Sequence, residues 1–404
     1  MEGPLQTGSF RWMKSINKST ILNIIRFHGP ISRVEIAKMT KLTPPTVTNI
    51  VGELIESGIV LEQKRGESTG GRKPILLTIN QSAFQVIGVY VSAHRVRGAV
   101  CNLNGRVVEE SERPIPPNPT AEQFLQTVQE VIQRLATGIQ QRQIPLLGIG
   151  VGMHGLVDPD QGISLFAPNL ALSDIPLRAV LEERFDVPVT VENDVRAMAL
   201  AESWFGQGRS LADFICVHVG SGIGAGIFSA GSLVHGPSFT AGEVGHTMID
   251  AAGPRCSCGN TGCLEAFASG PAMERRAQEK LRHGSHSLLR EQLQGEWEKL
   301  SGSDLTVAAQ AGDDFAQKIL ADTGRYLGIG LANLVNLLNP RRIILNGGVF
   351  AAGDYVLDSL KKTVHERSLT LPAADVTIVV SDLGKRAGTI GASTLVLKKM
   401  FQPQ

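Results

Sequence analysis

The 404-residue chain is too long for one ordinary domain, and 42% hydrophobic with 19% charged residues excludes a disordered or fibrous protein. A net charge of +1 carries little by itself, but residues 1–80 hold eleven Lys/Arg against six Asp/Glu, so a +5 head precedes a −4 body. No run approaches the ~20 apolar residues that span a bilayer, and Met1–Lys18 lacks a secretory leader pattern, which leaves the cytoplasm as the expected compartment.

In chain order, Ser15–Phe27 carries Ile21, Leu22, Ile24 and Ile25 at helical spacing and stops at His28-Gly29-Pro30. Ser32 and Glu35 form a capping box for a second helix over Arg33–Met39. Lys41–Pro45 reads as a turn, and a third helix runs from about Pro45 to Ser57 with Val47, Ile50, Val51, Leu54 and Ile55 on one face. Helix, helix, short turn and helix is the arrangement that offers its last helix to a DNA major groove. Thr46, Thr48 and Asn49 lie off the apolar stripe near the helix start, where side chains reach base edges, although Thr46 reads equally well as a cap. Ile59–Leu61 and Arg72–Leu77 then flank a polar tip and predict a β-hairpin wing, whose Lys64, Arg65, Arg72 and Lys73 would lie along phosphates or in a minor groove.

From Val86 onward apolar strands alternate with helical segments, which predicts an α/β core. Strands are expected at Gln85–Val91, Val96–Leu103, Arg106–Glu109, Leu147–Val151, Val187–Val191 and Phe214–Val219. Glycine loops at Gly150–Gly155, Gly220–Gly226 and Gly347-Gly348 follow strands, where α/β sheets bind ligands. Cys256, Cys258 and Cys263 sit within eight residues, with Gly259 and Gly262 letting the chain fold around an ion. With His246 ten residues upstream they make a Cys3His set, which selects Zn2+ and, with all four positions filled by protein, reads as structural. Cys101 and Cys216, each in an apolar strand, read as core residues.

Three motifs carry a resemblance: Val191-Glu192-Asn193-Asp194, Gly242-Glu243-Val244-Gly245-His246, and Cys256-Ser-Cys258-Gly-Asn-Thr-Gly-Cys263-Leu-Glu265. On these, residues ~85–395 resemble the ROK family of bacterial sugar kinases and sugar-responsive repressors. With the winged helix in front, the whole chain resembles the repressor branch, which includes the N-acetylglucosamine, glucose and xylose repressors. The resemblance implies a two-lobed sugar-kinase-like body of the actin-like ATPase/ribonuclease H-like type. It also implies hexose contacts at Gly155, Asn193, Asp194, Glu243, His246 and Glu265, with Asp194 at the kinases' catalytic base position. His246 would then serve the metal with one ring nitrogen and the sugar with the other.

The family's kinases open with a loop of the form Asp-x-Gly-Gly-Thr, but here Tyr90 stands for the aspartate and Ser92-Ala93 for the glycines. A phenol does not replace a carboxylate on Mg2+, so no kinase activity is expected. The expected organisation is a winged helix-turn-helix domain at 1–80, a small lobe at 81–195 with a C-terminal helix of about 388–404 packing back on it, and a large lobe at 196–387 holding the zinc. Expected partners are a double-stranded operator, a sugar or sugar-phosphate effector, and further copies of the chain as a dimer or dimer of dimers. The segment Leu305–Asn339 is a candidate dimer surface or buried core. Two other readings stay open: an ATP-dependent sugar kinase with a DNA-binding head, and a regulator sequestered by a protein partner such as a sugar transporter.

Overall fold

A computed structural model describes residues 10–63 and 74–402. The head begins with helices α1 (Phe10–His28), α2 (Arg33–Thr40) and α3 (Pro44–Glu56). α1 starts five residues before Ser15, because nothing in Phe10–Lys14 breaks a helix. The capping box forms: the Glu35 N–H donates to the Ser32 hydroxyl at 3.3 Å and the Ser32 N–H donates back to the Glu35 carboxylate at 2.9 Å. α3 is capped by Thr43, not Thr46, with Pro44 and Pro45 in its first turn where no N–H partner is needed. Val60–Gln63, Leu76–Ile79 and Ile31–Ser32 make the three-stranded wing sheet. The expected wing contacts Lys64, Arg65, Arg72 and Lys73 lie outside the described residues.

The body contains two five-stranded sheets of one topology. In the first, Gln85–Val91, Arg95–Asn102 and Val107–Pro114 form an antiparallel meander, and Leu146–Met153 and Val189–Asn193 add in parallel on the other side. In the second, Phe214–Val219, Ile223–Ser229 and Ser232–Leu233 form the meander, with Arg342–Asn346 and Thr377–Val380 added in parallel. The strand expected at Arg106–Glu109 runs on to Pro114, as an outer strand with mostly exposed side chains that apolar periodicity marks poorly. Asn193 is the last residue of its strand, not a residue beyond it.

The C-terminal helix Ala387–Phe401 returns to the first sheet. It lies so close that a Cβ on Gly150 would stand 1.8 Å from the Ala392 carbonyl oxygen, so only glycine fits there. The helix Asp194–Phe205 lies between the sheets, its Ala197–Leu200 stretch sharing an apolar cluster with Tyr90, Phe214, Ile344 and Leu395. Among the described residues the head has no core of its own: Ile21, Ile25, Val51 and Leu77 are continuous with Val86, Cys101, Leu103, Leu397 and Phe401 of the body. Asp314–Leu338 buries most of its apolar residues, leaving Leu337 and Leu338 exposed at its end. Among the described residues no helix is long and apolar enough to cross a membrane.

Candidate ligand cleft, metal cluster and DNA-reading helix

Three parallel strands of the first sheet end side by side, with Val91 paired to Met153 and Met153 to Asn193. Their continuations put Ser92, His154 and Asp194 on one edge, the position from which parallel sheets present ligands. Asn193 serves both as strand end and as N-cap of Asp194–Phe205: its Oδ1 accepts from the Val195 and Arg196 N–H groups at 3.0 and 3.1 Å. Its Nδ2 donates to the Gly155 carbonyl at 3.0 Å, so the amide is held rigidly with one N–H left over. The Asp194 carboxyl is buried and accepts from the Val195 N–H at 2.9 Å. Burial, with Glu243 nearby, pushes it up to about 7. His154 is buried too, its Nδ1 3.3 Å from the Val91 carbonyl, and burial pulls it down to about 4.

Glu243 lies at the start of a short turn, Val244–His246, that brings His246 Nε2 to 4.0 Å from the Glu243 carboxylate. Burial raises Glu243 above the ordinary range. Glu265 accepts from the Ile223 N–H at 2.9 Å, so one of its oxygens ties down the second glycine loop. Asp194, Glu243, His246 and Glu265 are therefore brought into one electrostatic neighbourhood. Gly155 joins it through Asn193.

Sequence reasoning missed the support beneath this cleft. Glu192 is buried and accepts from Arg196 Nε at 2.8 Å, with His235 Nε2 at 2.8 Å on its other oxygen. Burial pushes Glu192 up, but His235 and Arg196 outweigh it and hold the carboxylate below its usual range. Arg196 also donates to the Phe239 carbonyl at 2.7 Å, which fastens the segment before Glu243 to the helix that carries Asp194. The i,i+4 spacing of Glu192 and Arg196 was readable; the partners at 235 and 239 were not.

On the far side of His246, the ligand atoms of His246, Cys256, Cys258 and Cys263 all lie within 4.8 Å of one another. His246 Nδ1 faces Cys256 Sγ at 3.6 Å, and Cys258 Sγ faces Cys263 Sγ at 3.7 Å. The ring thus directs one nitrogen to the sulfurs and the other toward Glu243. Gly262 takes φ +75°, and a Cβ there would strike the Asp250 carbonyl oxygen at 1.8 Å, so the loop closes only with glycine. Burial and the adjacent sulfurs push Cys263 up to about 12. A dication would reverse that by taking the thiolate form as ligand, so the cluster is able to hold a metal ion.

On α3, Val47, Ile50, Val51 and Leu54 face inward while Thr48 and Asn49 are exposed. Thr48 donates its hydroxyl to the Pro44 carbonyl at 2.8 Å, and the Thr46 and Thr43 hydroxyls meet at 2.9 Å.

Comparison with known proteins matches residues 86–399 to the ROK family and residues 15–60 to a winged helix-turn-helix DNA-binding family. The chain belongs to the ROK family. It is 33% identical over 397 residues to the xylose repressor of Caldicellulosiruptor bescii, covering 98% of each chain. A crystal structure of a ROK family transcriptional regulator, a homologue of the Escherichia coli MLC protein, superposes with a TM-score of 0.83 at 30% identity, covering 96% of this chain and 97% of that one. A ROK family glucokinase from Streptomyces griseus, in complex with glucose and AMPPNP, gives 0.70 at 31% identity and covers 77% of this ROK protein and 98% of its own chain. Kinases and regulators thus share the body, and the regulator match extends over the head.

Proposed function

We propose that this ROK protein is a cytoplasmic transcription repressor whose affinity for a double-stranded operator is set by a sugar or sugar phosphate between the lobes. The observation that carries this reading is a winged helix joined through one continuous core to a ROK body, an arrangement covered end to end by the similarity to a repressor. Asn193, Asp194, Glu243, His246 and Glu265, with Gly155 behind them, would take the sugar hydroxyls. Thr46, Thr48 and Asn49 on α3, with Lys64, Arg65, Arg72 and Lys73 on the wing, would take the operator. Two heads in a dimer, or in a dimer of dimers, would read half-sites related by an approximate twofold. Closing the lobes on the effector would move the heads and weaken that fit.

The metal reading is Zn2+: three thiolates and one imidazole complete a tetrahedral shell with no position left for water, so the ion would brace the loop that carries His246 and Glu265. As for catalysis, Tyr90 is buried and its ring lies against Gly388, so this strand end offers a packed phenol where a kinase needs a carboxylate for Mg2+. The likeness to a glucokinase supports the second reading, a kinase with a DNA-binding head.

The deciding experiment titrates a labelled operator duplex with the full chain in the presence of xylose, glucose, N-acetylglucosamine and their phosphates. One of them is expected to weaken operator binding by about tenfold or more. If none changes operator affinity and calorimetry detects no binding, the effector reading falls and sequestration by a protein partner takes its place.

A further inference from the structure

Arg26 lies on α1, and its guanidinium sits in an aromatic box. Its Cζ is 3.3 Å from the ring centroid of Trp204, 4.2 Å from Phe27 and 5.1 Å from Phe401. Trp204 and Phe401 meet edge to face at 5.5 Å, and beside them Asn23 Nδ2 donates to the Phe401 carbonyl at 2.9 Å. Trp204 is in the last turn of Asp194–Phe205, and Phe401 ends the C-terminal helix. The head therefore meets the body at the C-terminal ends of two helices that run side by side between the lobes.

The opposite end of the first of these helices is the ligand cleft, with Asn193 as its cap and Asp194 as its first residue. Twelve residues at 1.5 Å each make a rod of about 18 Å. It is packed against the C-terminal helix on one side and against Ile223–Ser229 of the second sheet on the other. A displacement of its N-terminal end when the lobes close must appear at Trp204, because a helix packed on both sides moves as a unit.

The joint is built to respond to such a shift. Arg26 makes no ion pair among the described residues, one terminal nitrogen is enclosed without an acceptor, and burial with Arg209 close by pulls the guanidinium down to about 9. Among the described residues the contacts of the cation are with ring faces, an attraction that depends on distance and on exclusion of water. On the head side, α1 packs against α3 and Lys14 pairs with Glu53 at 2.6 Å, so the DNA-reading helix follows α1.

We propose that Arg26, Trp204 and Phe401 are the joint through which occupancy of the cleft reorients the DNA-reading helix, a role that rests on the effector reading above. None of the three is among the residues assigned above to the effector or the operator; they act by position. The test measures operator affinity with and without each sugar and sugar phosphate named above, and sugar affinity with and without operator, for full-length wild type, Arg26→Lys, Trp204→Leu and Trp204→Phe. Arg26→Lys and Trp204→Leu are expected to hold sugar affinity within about threefold while the sugar's effect on operator binding shrinks by about tenfold or more. Coupling is reciprocal, so the operator's effect on sugar affinity must shrink by the same factor, which a merely destabilised head does not reproduce. Trp204→Phe, which keeps a ring, is expected to retain most of the coupling. Should Trp204→Leu not fold, Arg26→Lys, which keeps the charge and loses the planar stack, decides the question. Wild-type coupling in these variants overturns the joint alone; a wild type that responds to no sugar overturns the effector reading and the joint together.

Discussion

At Asp194 one carboxyl proposed to meet the effector is also removed from water. Its folded value of about 7 lies above the ordinary 3.8, so the folded protein keeps a proton that the unfolded chain releases between those values. Stability therefore falls as pH rises from about 4 to 7, and Asp194→Asn removes that loss. The variant is expected to melt above the parent at pH 8, by at most roughly 4 kcal/mol, with no difference below about pH 4. Melting curves across that range check it, and a gain confined to acid would refute it. Effector affinity should fall in the same variant, because an amide accepts fewer hydroxyl donors than a carboxylate. At the metal cluster, Cys258→Ser removes one of four ligand atoms. It should lower bound zinc, read by elemental analysis, together with the melting temperature. Unchanged values of both would refute a structural zinc.

At the scale of elements, α2 and α3 separate what stabilises the head from what reads DNA. Ser32→Ala deletes the capping box and is expected to cost ~1 kcal/mol in denaturant unfolding without changing base preference. Asn49 is the stronger base-reading candidate, since Thr48 already spends its hydroxyl on the Pro44 carbonyl. Asn49→Ala should cost roughly 1–3 kcal/mol on the cognate operator and little on unrelated duplex. Arg72→Ala, as a phosphate contact, should instead weaken both and reduce the salt dependence by about one unit of slope. Equal losses from both variants on cognate and unrelated DNA would contradict this division. Sugar affinity should be unaltered in each.

At the scale of the whole molecule, two sheets of one topology build the body, and the same scaffold serves kinases and regulators. At the edge of the first sheet Tyr90 packs against the C-terminal helix, and the proposal that this body transfers no phosphoryl group rests on that residue. Incubation with ATP, Mg2+ and the sugar panel is expected to yield no sugar phosphate above background; steady turnover would replace the repressor with the kinase. The shared core of head and first lobe also means that the head is not a tethered module, so a change in the body reaches it by packing and not by diffusion.

The sequence by itself determined what depends on near neighbours: the Ser32–Glu35 box, the apolar stripe of α3, the strand periodicities, and the Cys256–Cys263 spacing with His246. Each is set by hydrogen bonds, repeats or ligand spacings within about twenty residues, so local chemistry suffices to read it. Only the tertiary structure decided that Asn193 is spent largely on capping, that Glu192 and Arg196 reach across to His235 and Phe239, and that Arg26 finds Trp204 and Phe401. Those partners are brought together by helices and sheets packing to a common density. Their chemistry is carried by contacts between distant parts of the chain, which no local period encodes.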